Sequence, residues 1–193
     1  MSDAWYEAVD ASTRLTQGDL IFNCPLLVWK PGAVSLETSR GAEVLRSAME
    51  AATADVIVIT QACDLEHDKV ADVILCPHYS LAEYRESWDQ MLRSQNQNPS
   101  EKAWRRHCED IRDGFVWNLA MLNEGVAGQQ RMDHRVVDFH HVYTIPRTFL
   151  ESIVQRRAEP RVRLRPPYRE HLSQAYARFF MRVGLPTPVR VVW

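Results

Sequence analysis

A chain of 193 residues with 46 % apolar content is long enough to bury one sizeable core, so a single domain over 1–193 is expected. No apolar run approaches the roughly 18 residues that a spanning helix needs, and the opening Met1-Ser-Asp-Ala-Trp-Tyr-Glu7 is unlike a secretory leader, so a cytoplasmic protein without a membrane segment is expected. The net charge of −2 conceals a polarity: residues 1–145 hold 13 Lys and Arg against 22 Asp and Glu, whereas 146–193 hold 10 Arg, no Lys and 3 Glu. Arginine alone suits planar recognition of carboxylate or phosphate, whether from an outside partner or from the acidic remainder of the same chain.

Cys24, Cys63, Cys76 and Cys108 lack the dense spacing of a disulfide scaffold and read as thiols. In chain order, Gln17-Gly-Asp19 is a turn signal leading into the apolar run Leu20–Phe22, continued by Leu26–Trp29, and Pro25 marks this strand as bent or at an edge. Residues 40–52 read as a short helix. Asp55-Val-Ile-Val-Ile-Thr60 is the clearest strand, β-branched and apolar on both faces as a buried central position requires, with 70–76 its neighbour.

Ser80-Leu-Ala-Glu83 has the form of a capping box and predicts a helix to about Ser94, and Pro99-Ser-Glu101 opens a second one to about Arg112. Together they form a helical insertion over 79–112. Strands are expected over Phe115–Leu122 and Val136–Tyr143, separated by a Gly-containing loop over 123–133. A final helix enters at Pro166-Pro167, carries Leu172, Tyr176, Phe179, Phe180 and Val183 on one stripe, and leaves at Gly184 and Pro186. The fold class is α+β: a small bent antiparallel sheet or SH3-like barrel, with the helical insertion and a C-terminal helix closing the core.

Two stretches carry a resemblance. Ile59-Thr-Gln-Ala-Cys-Asp-Leu65 resembles the Thr/Ser-x-x-Cys-Asp signature of an uncharacterised group of bacterial proteins, and Val137–Pro146 with Tyr168–Gly184 resembles that group's second half. Gly18-Asp19-Leu20-Ile21, Val56–Thr60 and Val73–Ser80 follow one another as in the SH3-like barrels of PemK/MazF-type toxins. Those nucleases carry Arg-Pro before the central strand where this chain has Ala54-Asp55, so the second likeness implies the scaffold without the cleavage chemistry.

Four constellations bear on function. Cys63, His67, Cys76 and His78 are zinc-ligand types. A hairpin would separate Cys63 from Cys76 by about six residues at roughly 3.3 Å each, so one four-ligand site does not form and core thiols with surface histidines are the competing reading. Cys63-Asp64 on a strand-to-turn corner suits a nucleophile only if His67, His140 or His141 supplies a base, since Asp64 opposes thiolate formation; the alternative is a small side chain followed by a turn cap. In a strand, His140 and His141 face opposite sides, leaving Asp138 and His140 as a pair.

The alternation Arg161-Val-Arg163-Leu-Arg165 predicts three guanidinium groups on one face, extended by Arg178 and Arg182 on the last helix. Such a stripe binds phosphates, guards a sheet edge, or pairs with the chain's own acids. The function read from the sequence is a non-catalytic binding or accessory module of a bacterial complex, with nucleic acid or an acidic protein as partner, met through this Arg-rich C-terminal face of Arg161, Arg163, Arg165, Arg178 and Arg182. The alternative is a thiol-dependent or metal-assisted hydrolase centred on Cys63 and Asp64. No cofactor is called for, and the oligomeric state is not legible.

Overall fold

The computed structural model of the chain describes residues 4–30 and 42–181. In chain order the elements are β1 (Tyr6–Val9), β2 (Asp19–Trp29), α1 (Ala42–Ala48), β3 (Met49–Val58), α2 (Ala62–Glu66), β4 (Asp72–Ser80), α3 (Leu81–Ser94), α4 (Glu101–Arg112), β5 (Leu119–Leu122), β6 (Gly125–Ala127), β7 (Gln130–Met132), β8 (Arg135–Asp138), β9 (Tyr143–Pro146), α5 (Arg147–Arg157), β10 (Arg161–Leu164) and α6 (Tyr168–Phe180). The main sheet runs β1-β10-β2-β3-β4-β8-β5, with β9 also on β4, and every pairing in it is antiparallel. This is the α+β architecture with a bent antiparallel sheet that the sequence predicts.

Bending is clearest in β4, whose first half (Asp72–Leu75) pairs with β9 and whose last residues (His78–Ser80) pair with β8. The ladder starts at β1, ends at β5 and does not close, so of the two forms expected the open sheet is the one present. The small hairpin β6–β7 lies against β1 instead. There the Tyr6 hydroxyl donates to the Asn123 carbonyl at 2.7 Å, and Gly125 gives the Tyr6 ring room, since a Cβ would stand 2.9 Å from it.

Alternation along the central strands sends successive residues to opposite faces. Leu20, Ile57, Cys76, Val162 and Leu164 pack with Leu172 of α6, whereas Ile21, Val56, Val58, Val73 and Leu75 pack with Leu150 and Val154 of α5. Both faces are thereby covered, which is why Val56–Ile59 reads as an unbroken apolar run. A third cluster, Ile111, Leu119 and Val136, sits beneath the helical insertion. Ser80 caps α3 in a complete capping box with Glu83, and Ser100 caps α4. Trp88 and Trp104 pack their rings together with Tyr84 and His107, and burial holds His107 below the ordinary imidazole range.

Several elements depart from the sequence reading. The helix expected over 40–52 ends at Ala48, and β3 starts six residues before Asp55, because Ala51, Ala52 and Ala54 lie across from Leu27, Leu26 and Cys24 and cross-strand pairing outweighs alanine's helical preference. The strand expected from Phe115 starts at Leu119, after a turn at Gly114 whose φ is +75°. The strand expected over 136–143 is interrupted after Asp138 and resumes as β9. Helix α5 has no counterpart in the sequence reading. Phe180, expected on the buried stripe, is 60 % exposed, and Val183, Gly184 and Pro186 lie outside the described residues. Among the described residues no helix is long and apolar enough to cross a membrane.

Candidate functional site

The arginine stripe is turned inward at two of its positions, contrary to the outward face expected from its alternation. Register places Arg163 opposite Asp19, whose carboxylate is fully buried. A carboxylate removed from water is stable only when paired and hydrogen-bonded. Arg161 Nε donates to Asp19 Oδ2 at 2.8 Å, Arg163 donates to the same carboxylate through Nε and Nη2, and the Thr16 N–H adds a further bond at 3.1 Å. Arg161 also donates to the carbonyls of Asp10, Thr13 and Arg14, which fastens the 10–16 loop to the sheet. These two guanidinium groups are engaged by the chain itself. Arg165 is exposed, as is Arg178, and Arg182 lies outside the described residues.

Arg178 belongs to a different feature. Helix α6 and the turn joining α4 to β5 enclose a groove of about 310 Å3. Buried Ile111, Leu119 and Leu172 belong to its lining, and Trp5 and Tyr168 stack in it with ring centres 4.0 Å apart and planes 11° from parallel. Arg178 donates to the Gly114 carbonyl at 2.7 Å while its guanidinium lies over the Trp117 ring, 5.5 Å from the centroid. Trp117 is 45 % exposed and the neighbouring Phe115 68 %. Arg112 and His171 add basic groups, and Asp113 is paired with Arg112.

The Thr-x-x-Cys-Asp corner is built differently from a nucleophile elbow. Thr60 Oγ1 accepts the Ile74 N–H at 2.7 Å, extending the β3–β4 ladder by one rung through a side chain. Cys63 is exposed in the five-residue helix α2, with Gln61 Oε1 at 3.7 Å and Asp64 Oδ1 at 3.8 Å from its sulfur. Both neighbours are hydrogen-bond acceptors for the thiol. His67 ends the helix, exposed, and beyond it Asp68 is held by Arg14 and Arg147, which keep its carboxyl below the usual range.

Cys76 and His78 lie buried on β4, away from the exposed Cys63 and His67, so the four ligand-type residues do not converge. Among the described residues no group of three or more His, Cys, Asp or Glu is arranged to hold a metal ion. Burial pushes the Cys76 thiol up to about 12 and that of Cys24 to about 11. His78 Nδ1 instead accepts from Arg135 Nε at 2.6 Å, and Arg135 Nη2 donates to Asp55 Oδ2 at 2.8 Å. Asp55 in turn accepts the N–H of Asn23, at the irregularity in β2 where φ is +47°. Asp55 thus anchors the bulge in β2.

His140 and His141 do not sit on a strand, so the expectation of opposite faces fails. Asp138 accepts the His140 N–H at 2.9 Å and turns the chain, which brings both imidazoles to one carboxylate: His141 Nδ1 at 3.1 Å and His140 Nδ1 at 3.6 Å. The His140 ring meets Phe179 of α6 edge-on. The pair expected, Asp138 with His140, is therefore a trio at a turn, both histidines exposed.

No model of a known protein family matches the chain. A search of curated proteins likewise finds no match. What the sequence reading missed is the groove: Trp5 and Trp117 are far along the chain from Tyr168 and His171, and Trp117 falls within the strand expected over Phe115–Leu122. The Asp113-Gly114 dipeptide is the turn signal that separates Phe115 and Trp117 from the strand after them.

Proposed function

We propose that this chain is a non-catalytic binding module, the accessory part of a larger assembly, whose partner is single-stranded nucleic acid met on the face formed by α6 and the α4–β5 turn. The observation that carries this reading is Arg178 lying over the exposed indole of Trp117 at the lip of a groove that Trp5 and Tyr168 also line. Single-strand binders combine cations that follow the backbone with aromatic rings on which bases stack. Arg165 is a second exposed cation, just before the helix begins. The Asp19-bound pair, Arg161 and Arg163, lies on the side of β10 away from α6, since Val162 and Leu164 face that helix, and takes no part in contact.

The test is anisotropy of a labelled single-stranded oligonucleotide, titrated with the protein between about 50 and 200 mM salt. The expected result is a linear fall of log affinity with log salt, whose slope loses about one unit in Arg165→Ala or Arg178→Ala. Absence of binding at the lowest salt, or an affinity indifferent to salt, overturns the proposal.

A further inference from the structure

Basic residues and exposed rings say that a polyanion suits this face, but the groove is more particular than that. At about 310 Å3 it lies at the lower end of ligand-pocket volumes, roughly 300–1,000 Å3, far too small for a duplex and of a size with one base and its sugar. Its lining mixes the rings of Trp5, Trp117 and Tyr168 and aliphatic side chains with the polar groups of Gln174, His171 and the paired Arg112 and Asp113. Arg178 uses one Nη2 donation on the Gly114 carbonyl, which fixes the guanidinium and leaves Nε and Nη1 to point elsewhere. Gly114 favours this: a Cβ there would stand 3.1 Å from Arg178 Nη2 and push it aside by a few tenths of an ångström, and the φ of +75° strains any other side chain. The turn thus leaves room for the arginine, whose guanidinium lies over the Trp117 ring.

We infer that the groove between α6 and the α4–β5 turn is a subsite for one unpaired nucleotide, its base laid against Trp117 and its phosphate held by Arg178. The inference rests on the nucleic-acid reading above and adds a location, a stoichiometry and a preference for unpaired bases. A flat heteroaromatic ring bearing a phosphate is the shared chemistry, supplied either by a free nucleotide or by one residue of a strand. Neither inorganic phosphate nor a nucleoside supplies both halves.

The experiment measures tryptophan emission and oligonucleotide anisotropy of the full chain with adenosine monophosphate, adenosine, inorganic phosphate, single-stranded oligoadenylate and a duplex of equal length. The monophosphate is expected to quench emission at concentrations where adenosine is weaker and phosphate inert. Trp117→Ala is expected to weaken oligoadenylate binding roughly tenfold or more, as removal of a stacking ring does. Trp117→Phe, which keeps a ring, and Arg178→Lys, an exposed position, are expected to retain the fold on a thermal melt and to give intermediate affinities.

An oligoadenylate bound far more tightly than the monophosphate identifies a strand as the source, and equal affinity identifies a free nucleotide; both support the subsite. A duplex bound as well as the single strand overturns it. So does oligoadenylate affinity unchanged in folded Trp117→Phe and Arg178→Lys while Arg165→Ala still lowers the salt slope, and that outcome leaves nucleic-acid binding in place. No response to any nucleotide or strand removes both.

Discussion

Asp19 concentrates more of the molecule's internal electrostatics than any other side chain described above. Its buried oxygens join the buried Arg161 and the partly covered Arg163 to the N–H of Thr16. Removing one partner of such a group strands the others, at a cost of about 3–5 kcal/mol. Asp19→Asn is therefore expected to lose about that much unfolding free energy in urea; a loss below about 1 kcal/mol would show that the carbonyls of Asp10, Thr13 and Arg14 suffice for the two cations. His78 makes a different prediction. Burial, with Arg135 beside it, holds this imidazole neutral well below its ordinary range. The unfolded chain takes up a proton there below pH of about 6.5 that the folded chain refuses, so the stability it confers is complete above that pH and is lost as pH falls, at up to about 1.4 kcal/mol per pH unit. His78→Asn keeps an acceptor for Arg135 but does not titrate. Urea unfolding at pH values on either side of about 6.5 should show a shallower decline in the variant, and identical declines would assign the effect to other groups.

The clasp between β1 and the β6–β7 hairpin makes a prediction at the level of whole elements. Gly128 turns that hairpin with φ +61°, and a Cβ added to it would come 3.1 Å from the Ala8 Cβ. Gly128→Ala is expected to lower stability by about 1 kcal/mol or more, read as a thermal shift, whereas alanine at an exposed position of α4 such as Lys102 should leave the melt nearly unchanged. Elements with complete local signals were legible in the sequence. Ser80 with Glu83 and Ser100 with Glu101 mark the starts of α3 and α4 by chemistry contained within four residues. Elements decided by distant partners were not. The alanines of β3 become strand because β2 lies beside them, and β1 pairs with β10 from the other end of the chain. The site follows the same rule. Arg178 was visible as a cation on a predicted helix, but nothing local announces that it reaches Gly114 and Trp117, or that Arg161 and Arg163 face an aspartate some 140 residues earlier.

The four thiols sample the molecule at different depths and report on it as a whole. Cys24 and Cys76 are fully buried with raised pKa values, Cys108 is partly covered, and Cys63 is exposed. Under native conditions a thiol reagent is expected to modify Cys63 rapidly and Cys108 more slowly, whereas Cys24 and Cys76, on neighbouring sides of β3, should react together and only at the rate of large-scale opening. Cys24 and Cys76 reacting at separate rates would divide the sheet into independently opening parts. The pairing of β1 with β10, and the grip of Arg161 on the carbonyl of Asp10, 151 residues earlier, also carry a consequence for biosynthesis. A nascent chain leaving the ribosome exposes β1 and the first half of β2 with no neighbour on that side until the segment ending at Leu164 has emerged. For most of translation this flank is an unsatisfied sheet edge, open to association with other chains, and it closes only when nearly all the described residues have been synthesised.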